Sequence, residues 1–185
     1  MAKTPSNMVP IGFKAPSFKL KDSISNCMYS SDDLFGKKCT LLMFICNHCP
    51  FVIHVNSEIV KIANDYFSKD FKVIAISSND IKNYPQDSPE LMKKTAQEQG
   101  YSFPYLYDED QSVAKNYDAA CTPDFYIFDG KRELVYRGQM DDSRPGNEIP
   151  VTGKDIRDAL DSIINGKEIN SNQKPSIGCN IKWIN

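Results

Sequence analysis

Thr40-Leu41-Leu42-Met43-Phe44-Ile45-Cys46-Asn47-His48-Cys49-Pro50-Phe51-Val52 is the stretch on which the reading of the fold turns. From Thr40 to Ile45 the residues are apolar without alternation, the pattern of a strand buried on both faces. From Pro50 to Phe67 the pattern changes. Phe51, Val52, Val55, Ile59, Ile62, Ala63 and Tyr66 recur at about 3.6-residue spacing, while Asn56, Lys61 and Asn64 face elsewhere, as in an amphipathic helix. Proline at the first helical position loses only an N–H that would be unpaired there anyway. Cys49 therefore falls at the helix N-cap, with its sulfur beside free N–H groups and the positive end of the helix dipole. A thiol so placed can have its pKa lowered from about 8.5 into the range of roughly 3.5–7.5, which makes the reactive thiolate predominate near neutral pH. His48, next to it, adds positive charge when protonated. Of the six cysteines in the chain, this physics selects Cys49 as the nucleophile.

Outward from this stretch, Phe71–Ile76 reads as a second buried strand. Ser88 caps a helix to about Gln99 that Gly100 stops, and Asp110 to Tyr117 reads as a shorter helix. Phe125–Phe128 and Leu134–Arg137 read as strands joined at Asp129-Gly130-Lys131, and Thr152 to Ile164 as a last helix ended by Asn165-Gly166. Before the central stretch, Ala2–Pro16 reads as an extended lead-in. Phe18–Lys21 and Cys27–Tyr29 form a short hairpin, and Ser30 to Asp33 cap a brief helical turn that ends at Gly36. The tail, residues 166–185, reads as irregular from Lys167 onward. The segment Tyr101 to Tyr107 reads as packing surface, and Asp141-Asp142-Ser143-Arg144 as a solvated turn. The order, a hairpin, then β–α–β–α, a short helix, β–β and a final α, describes an α/β layer fold with a mixed central sheet flanked by helices. Among common architectures it matches the thioredoxin-like fold, here with an N-terminal β-hairpin extension and an irregular C-terminal tail.

The bulk properties narrow the function. At 185 residues the chain suits one domain, residues 1–185, and no break in composition divides it. A net charge of −2 with scattered Lys and Arg excludes a basic nucleic-acid surface. The longest apolar run, Leu41 to Cys46, is far shorter than a membrane span, and Met1 to Pro10 lacks the apolar core of a secretory signal, so the expectation is a cytoplasmic protein with neither nucleic acid nor membrane as partner. In a reducing compartment cysteines persist as thiols, which turns their spacing toward redox or metal chemistry.

In thioredoxin-like folds a cis-proline precedes the strand after the short helix and faces the reactive cysteine. Cys121-Thr122-Pro123 occupies that place, with the Thr122–Pro123 bond expected cis and the exposed backbone available to an extended substrate.

At this point the residues carry a family likeness across almost the whole chain. The segments are Phe44 to Val52, Ile76 to Asp80, Tyr84 to Glu90, Phe103 to Asp108, Cys121 to Phe125, Arg137 to Gly146 and Pro175 to Trp183. Together they resemble the thioredoxin family proteins of the AhpC/TSA group, in the peroxiredoxin-like 1 branch. By register, Cys49 takes the place of the first cysteine of a thioredoxin C-x-x-C, and Val52 that of the second. Relative to peroxiredoxins, Cys49-Pro50 matches the peroxidatic Cys-Pro. Cys46 stands where they carry Thr, and Pro123 where they carry a peroxide-polarising Arg. Because that pair supplies donors at the developing charge, the resemblance implies thiol–disulfide exchange ahead of fast peroxide reduction.

The expected function is a thiol-dependent oxidoreductase in cell redox homeostasis. Cys49, Cys46 and Cys121 are the catalytic candidates, Thr122, Pro123 and His48 the substrate-binding ones, and neither cofactor nor metal takes part. Cys46, Cys121 and Cys179 are the candidates to resolve a mixed disulfide or sulfenic acid at Cys49; Cys27, Cys39 and His54 read as structural. A thiol or disulfide protein, or a low-molecular-weight thiol, is the expected reductant. A hydroperoxide is a further substrate candidate, and a homodimer a further assembly. Two other readings compete. One is a metal site from Cys46, Cys49 and Cys121 with His48 or Cys179, and the other is a non-catalytic binding module.

Overall fold

The computed structural model describes residues 3–67 and 70–184. Ala2 of the expected lead-in, Met1 before it, and Asn185 at the end of the tail lie outside the described residues. The chain runs β1 (Lys3–Pro5), β2 (Lys19–Asp22), β3 (Met28–Ser30), α1 (Ser31–Leu34), β4 (Cys39–Phe44), α2 (Pro50–Asp65), β5 (Phe71–Ser77), α3 (Pro89–Gln99) and β6 (Tyr105–Tyr107). It continues through α4 (Ser112–Asn116), β7 (Cys121–Thr122), β8 (Asp124–Asp129), β9 (Leu134–Gly138), α5 (Lys154–Ile164) and β10 (Ile177–Asn180).

The main sheet has the order β3-β2-β6-β5-β4-β8-β9. β4 pairs parallel with β5 and β5 with β6, while β8 runs antiparallel to β4 and β9 antiparallel to β8. This is the mixed sheet of the thioredoxin-like fold. β4 lies between β5 and β8, and every residue of it is buried. Successive side chains of a strand point to opposite faces. Leu41, Met43 and Ile45 accordingly join the core under α2 and α5, with Val55, Ile59, Ile62 and Leu160. Leu42 and Phe44 join the core on the other face, with Tyr117, Tyr126 and Phe128. Two filled faces explain why the strand shows no hydrophobic alternation.

Local signals place several boundaries. Ser30 and Asp33 form a reciprocal capping box at α1. The Ser88 side chain accepts from the Leu91 N–H, and Gly100 ends α3 at φ 72°. The last helix begins at Lys154 rather than Thr152, and the short one at Ser112 rather than Asp110.

Four strands, β1, β6, β7 and β10, correct the sequence reading. β6, within the Tyr101 to Tyr107 segment, pairs with both β5 and β2. β1 makes a strand of the lead-in, and the tail is not irregular throughout because Ile177–Asn180 forms β10. β1, β10 and β7 make a second, three-stranded sheet, with β10 antiparallel to both neighbours. Among the described residues no helix is long and apolar enough to cross a membrane.

Ile59 lies at mid-α2, 1% exposed, between helix and sheet. Ile59→Ala is expected to lower unfolding free energy by about 2–5 kcal/mol, read from the midpoint of urea denaturation, because it removes buried methylenes and leaves a cavity.

Candidate active site

Cys49 is the N-cap of α2, with Pro50 at the first helical position. Its backbone carbonyl accepts from the Val52 and Ile53 N–H groups, both at 3.0 Å. Its side chain is fully buried, with the sulfur 3.1 Å from the Thr122 carbonyl oxygen and 3.0 Å from the Cys179 sulfur. As a thiol it donates to the Thr122 carbonyl. The surroundings favour the ionised form, and the pKa falls to about 5. The largest cause is a hydrogen bond from the Cys46 thiol. Burial works against ionisation, and hydrogen bonds from Cys179, from the Thr122 side chain and from the Val52 N–H work for it. In the structure neighbouring thiols contribute more than the first-turn N–H.

The donors pay the complementary shift. The Cys46 thiol is pushed well above its ordinary value, first by its hydrogen bond to Cys49 and then by burial. Its sulfur also lies 3.5 Å from the Thr122 hydroxyl oxygen. Cys179 is raised to about 12 by burial and by its hydrogen bond to Cys49. Protons thus rest on Cys46 and Cys179 while the charge rests on Cys49.

Thr122–Pro123 is a cis peptide bond, as the fold reading expected. Thr122 faces the cysteines through both its hydroxyl and its carbonyl, and Pro123 follows it. Cys121 precedes Thr122 on β7, so their side chains point to opposite faces. The Cys121 sulfur reaches the Pro123 carbonyl at 3.7 Å, and among the described residues no hydrogen bond joins it to Cys49. Burial pushes the Cys121 thiol up, and charge on Asp124, Cys49 and Cys179 adds to that push. Of the others, Cys27 is exposed, and Cys39 is buried with its pKa raised to about 11 by burial.

His48 points to a partner that the sequence did not disclose. Its Nδ1 lies 2.6 Å from an Asp87 carboxylate oxygen, and its ring stacks on Tyr84 at 5.7 Å with an interplanar angle of 10°. Asp87 is completely buried and also accepts from the backbone N–H groups of Asn47 (2.9 Å) and His48 (3.3 Å) and from the Asn79 side chain (2.8 Å). One carboxylate thereby fixes the whole turn between β4 and α2. The segments Ile76 to Asp80 and Tyr84 to Glu90 had stood out only as parts of the family likeness. Asn79 and Asp87 give them a physical role, which is to hold the cysteine turn.

The only signal for a metal comes from Cys46, His48 and Asp87, whose ligand atoms lie within 4.8 Å of one another among the described residues. This is not the set expected from the sequence. Both Asp87 oxygens already accept hydrogen bonds, one of them directly from His48, so the donors satisfy each other without an ion.

His54 places Nε2 2.7 Å from the Ser143 hydroxyl oxygen. The Asp141 to Arg144 turn differs from the reading as solvated. Asp141 is buried and accepts from the N–H groups of Ser143, Thr152 and Gly153 at 2.9, 2.7 and 2.7 Å, anchoring the approach to α5.

Comparison with known proteins matches residues 11–137 to the AhpC/TSA family. No protein of curated function matches. Among solved structures, an uncharacterized conserved protein from Geobacillus kaustophilus is 58% identical, covering 100% of this chain and 97% of that one, with a TM-score of 0.98. A hypothetical protein from Sinorhizobium meliloti 1021 is 44% identical, covering 98% of each chain, with a TM-score of 0.95. The thioredoxin domain of a thiol-disulfide oxidoreductase from Bacteroides vulgatus shares the fold at 20% identity, covering 70% of this chain and 88% of that one, with a TM-score of 0.59.

The Cys49 thiolate is expected to titrate near 5, read as the difference in ultraviolet thiolate absorbance between the protein and its Cys49→Ser variant. The absorbance rises as pH passes upward through that value. A hydrogen bond to a charged group contributes about 1.5–3 kcal/mol and one pKa unit is about 1.36 kcal/mol, so Cys46→Ala should move the midpoint up by roughly 1–2 units. An unmoved midpoint would show that Cys46 is not the principal donor.

Proposed function

We propose that this chain, which belongs to the AhpC/TSA family, is an oxidoreductase that reduces disulfides through Cys49. The observation that carries the reading is Cys49 at the N-cap of α2, its sulfur 3.0 Å from the Cys179 sulfur and 3.1 Å from the Thr122 carbonyl oxygen, in surroundings that lower its pKa and raise those of Cys46 and Cys179. Only the ionised sulfur is nucleophilic, so lowering one thiol while raising its neighbours selects a single attacking atom.

In the reaction, the Cys49 thiolate attacks one sulfur of a substrate disulfide. A new S–S bond forms as the old one breaks, and the leaving thiolate takes a proton. A second thiol then attacks the mixed disulfide and releases the rest of the substrate as a thiol. The substrate has gained two electrons and the protein holds a disulfide, which an external thiol, a protein dithiol or a low-molecular-weight thiol, reduces.

Support for disulfide over hydroperoxide as substrate comes from the donors at the sulfur. They are two thiols, a hydroxyl and one backbone N–H, with no guanidinium among them. Pro123 stands where a peroxide-polarising Arg would be expected. Thr122 and cis-Pro123 present backbone beside the sulfur, which suits an extended thiol substrate.

The test is the dithiothreitol-driven reduction of oxidised glutathione and of hydrogen peroxide by the protein and its Cys49→Ser variant. Disulfide turnover should exceed peroxide turnover, and both should fall to the uncatalysed rate in the variant. A variant retaining the parent rate would end this reading. Elemental analysis of the same preparation checks the metal alternative, which requires near-stoichiometric metal lost on Cys46→Ala or Asp87→Asn.

A further inference from the structure

We propose that Cys179 is the thiol that resolves Cys49, and that β10 delivers it by occupying the place of a substrate strand. This rests on the reading of Cys49 as the nucleophile. Two independent observations meet here. The first is distance, since the Cys49 and Cys179 sulfurs stand 3.0 Å apart. The second is backbone pairing. β10 lies antiparallel along β7, the strand that leads into cis-Pro123, with Cys179 opposite Thr122 and Asn180 opposite Cys121. That edge is where an extended substrate would add its backbone in strand-addition recognition, and the chain fills it with its own tail.

The fit depends on Gly178. A Cβ at that position would lie 2.0 Å from the Thr122 carbonyl oxygen and 3.1 Å from the Pro123 nitrogen. The Ser176 hydroxyl, donating to the Pro123 carbonyl at 2.6 Å, ties down the strand just before its glycine. Cys49 is 0% exposed, Cys46 2% and Cys179 2%, so a substrate needs an opening in the fold, and in this proposal β10 parts from β7 to give it. The return of β10 brings Cys179 to the mixed disulfide.

In that step Cys179 loses its proton and its sulfur attacks the Cys49 sulfur. The Cys49–Cys179 bond forms, the bond from Cys49 to the substrate breaks, and the substrate leaves as a thiolate that takes up the proton. Cys46, at the end of β4 with its sulfur 3.5 Å from the Thr122 hydroxyl oxygen, is assigned to tuning the nucleophile, because the strand paired along β7 carries Cys179 and not Cys46.

The probe is oxidised glutathione, with disulfides located by mass spectrometry of unreduced peptides. The parent protein should yield a Cys49–Cys179 link with no retained glutathione, and Cys46→Ser should yield the same link. Cys179→Ser should retain one glutathionyl group on Cys49. Gly178→Ala, which leaves every thiol in place, should also accumulate that adduct and lose most of the Cys49–Cys179 link. A Cys46–Cys49 link in the parent, or a Cys179→Ser protein that retains no adduct and turns over at the parent rate, would overturn the assignment. If Cys49 takes up glutathione in no variant, the nucleophile itself is wrong and the assignment falls with it.

Discussion

A buried thiolate needs hydrogen-bond donors, and the site is organised around that requirement. Burial alone drives a cysteine toward its neutral form. Cys49 is fully buried yet held to about 5, because the Cys46 and Cys179 thiols, the Thr122 hydroxyl and the Val52 N–H converge on it. The two thiol donors are protonated because they serve the anion. Three cysteines therefore behave as one unit with a single charge, and the removal of any one alters the proton affinity of the others.

This convergence is a product of topology. Cys46 follows the end of β4, Cys49 precedes α2, Thr122 ends β7, and Cys179 sits on β10. β4 is fixed by its position between β5 and β8 and by side chains buried on both faces. The turn after it is fixed by Asp87, which reaches across from a separate loop to hold Asn47 and His48. The nucleophile thus rests on a rigid strand and helix, while the groups that tune it come from segments distant in sequence.

That division decides what the sequence could disclose. The unbroken apolar run of β4, the 3.6-residue periodicity of α2 and Pro50 between them are local patterns, and they located Cys49 and the fold class. Serine caps and Gly100 did the same for α1 and α3. The strands that escaped, β1, β6, β7 and β10, are two to four residues long, too short for a period to show. β10 also gets its partners from the far end of the chain and from β7, so no window around Ile177 to Asn180 contains the reason for its conformation. Asp87 is a similar case, since nothing beside it in sequence marks its buried contacts.

The most direct measurement is a site-resolved titration of the cysteines, following the carbon-13 Cβ shift of each in the reduced protein. The account predicts that Cys49 ionises near 5, while Cys46 stays protonated well above the ordinary thiol range and Cys179 to about 12. Ionisation of Cys46 before Cys49, or a common midpoint at the free-thiol value for both, would contradict it.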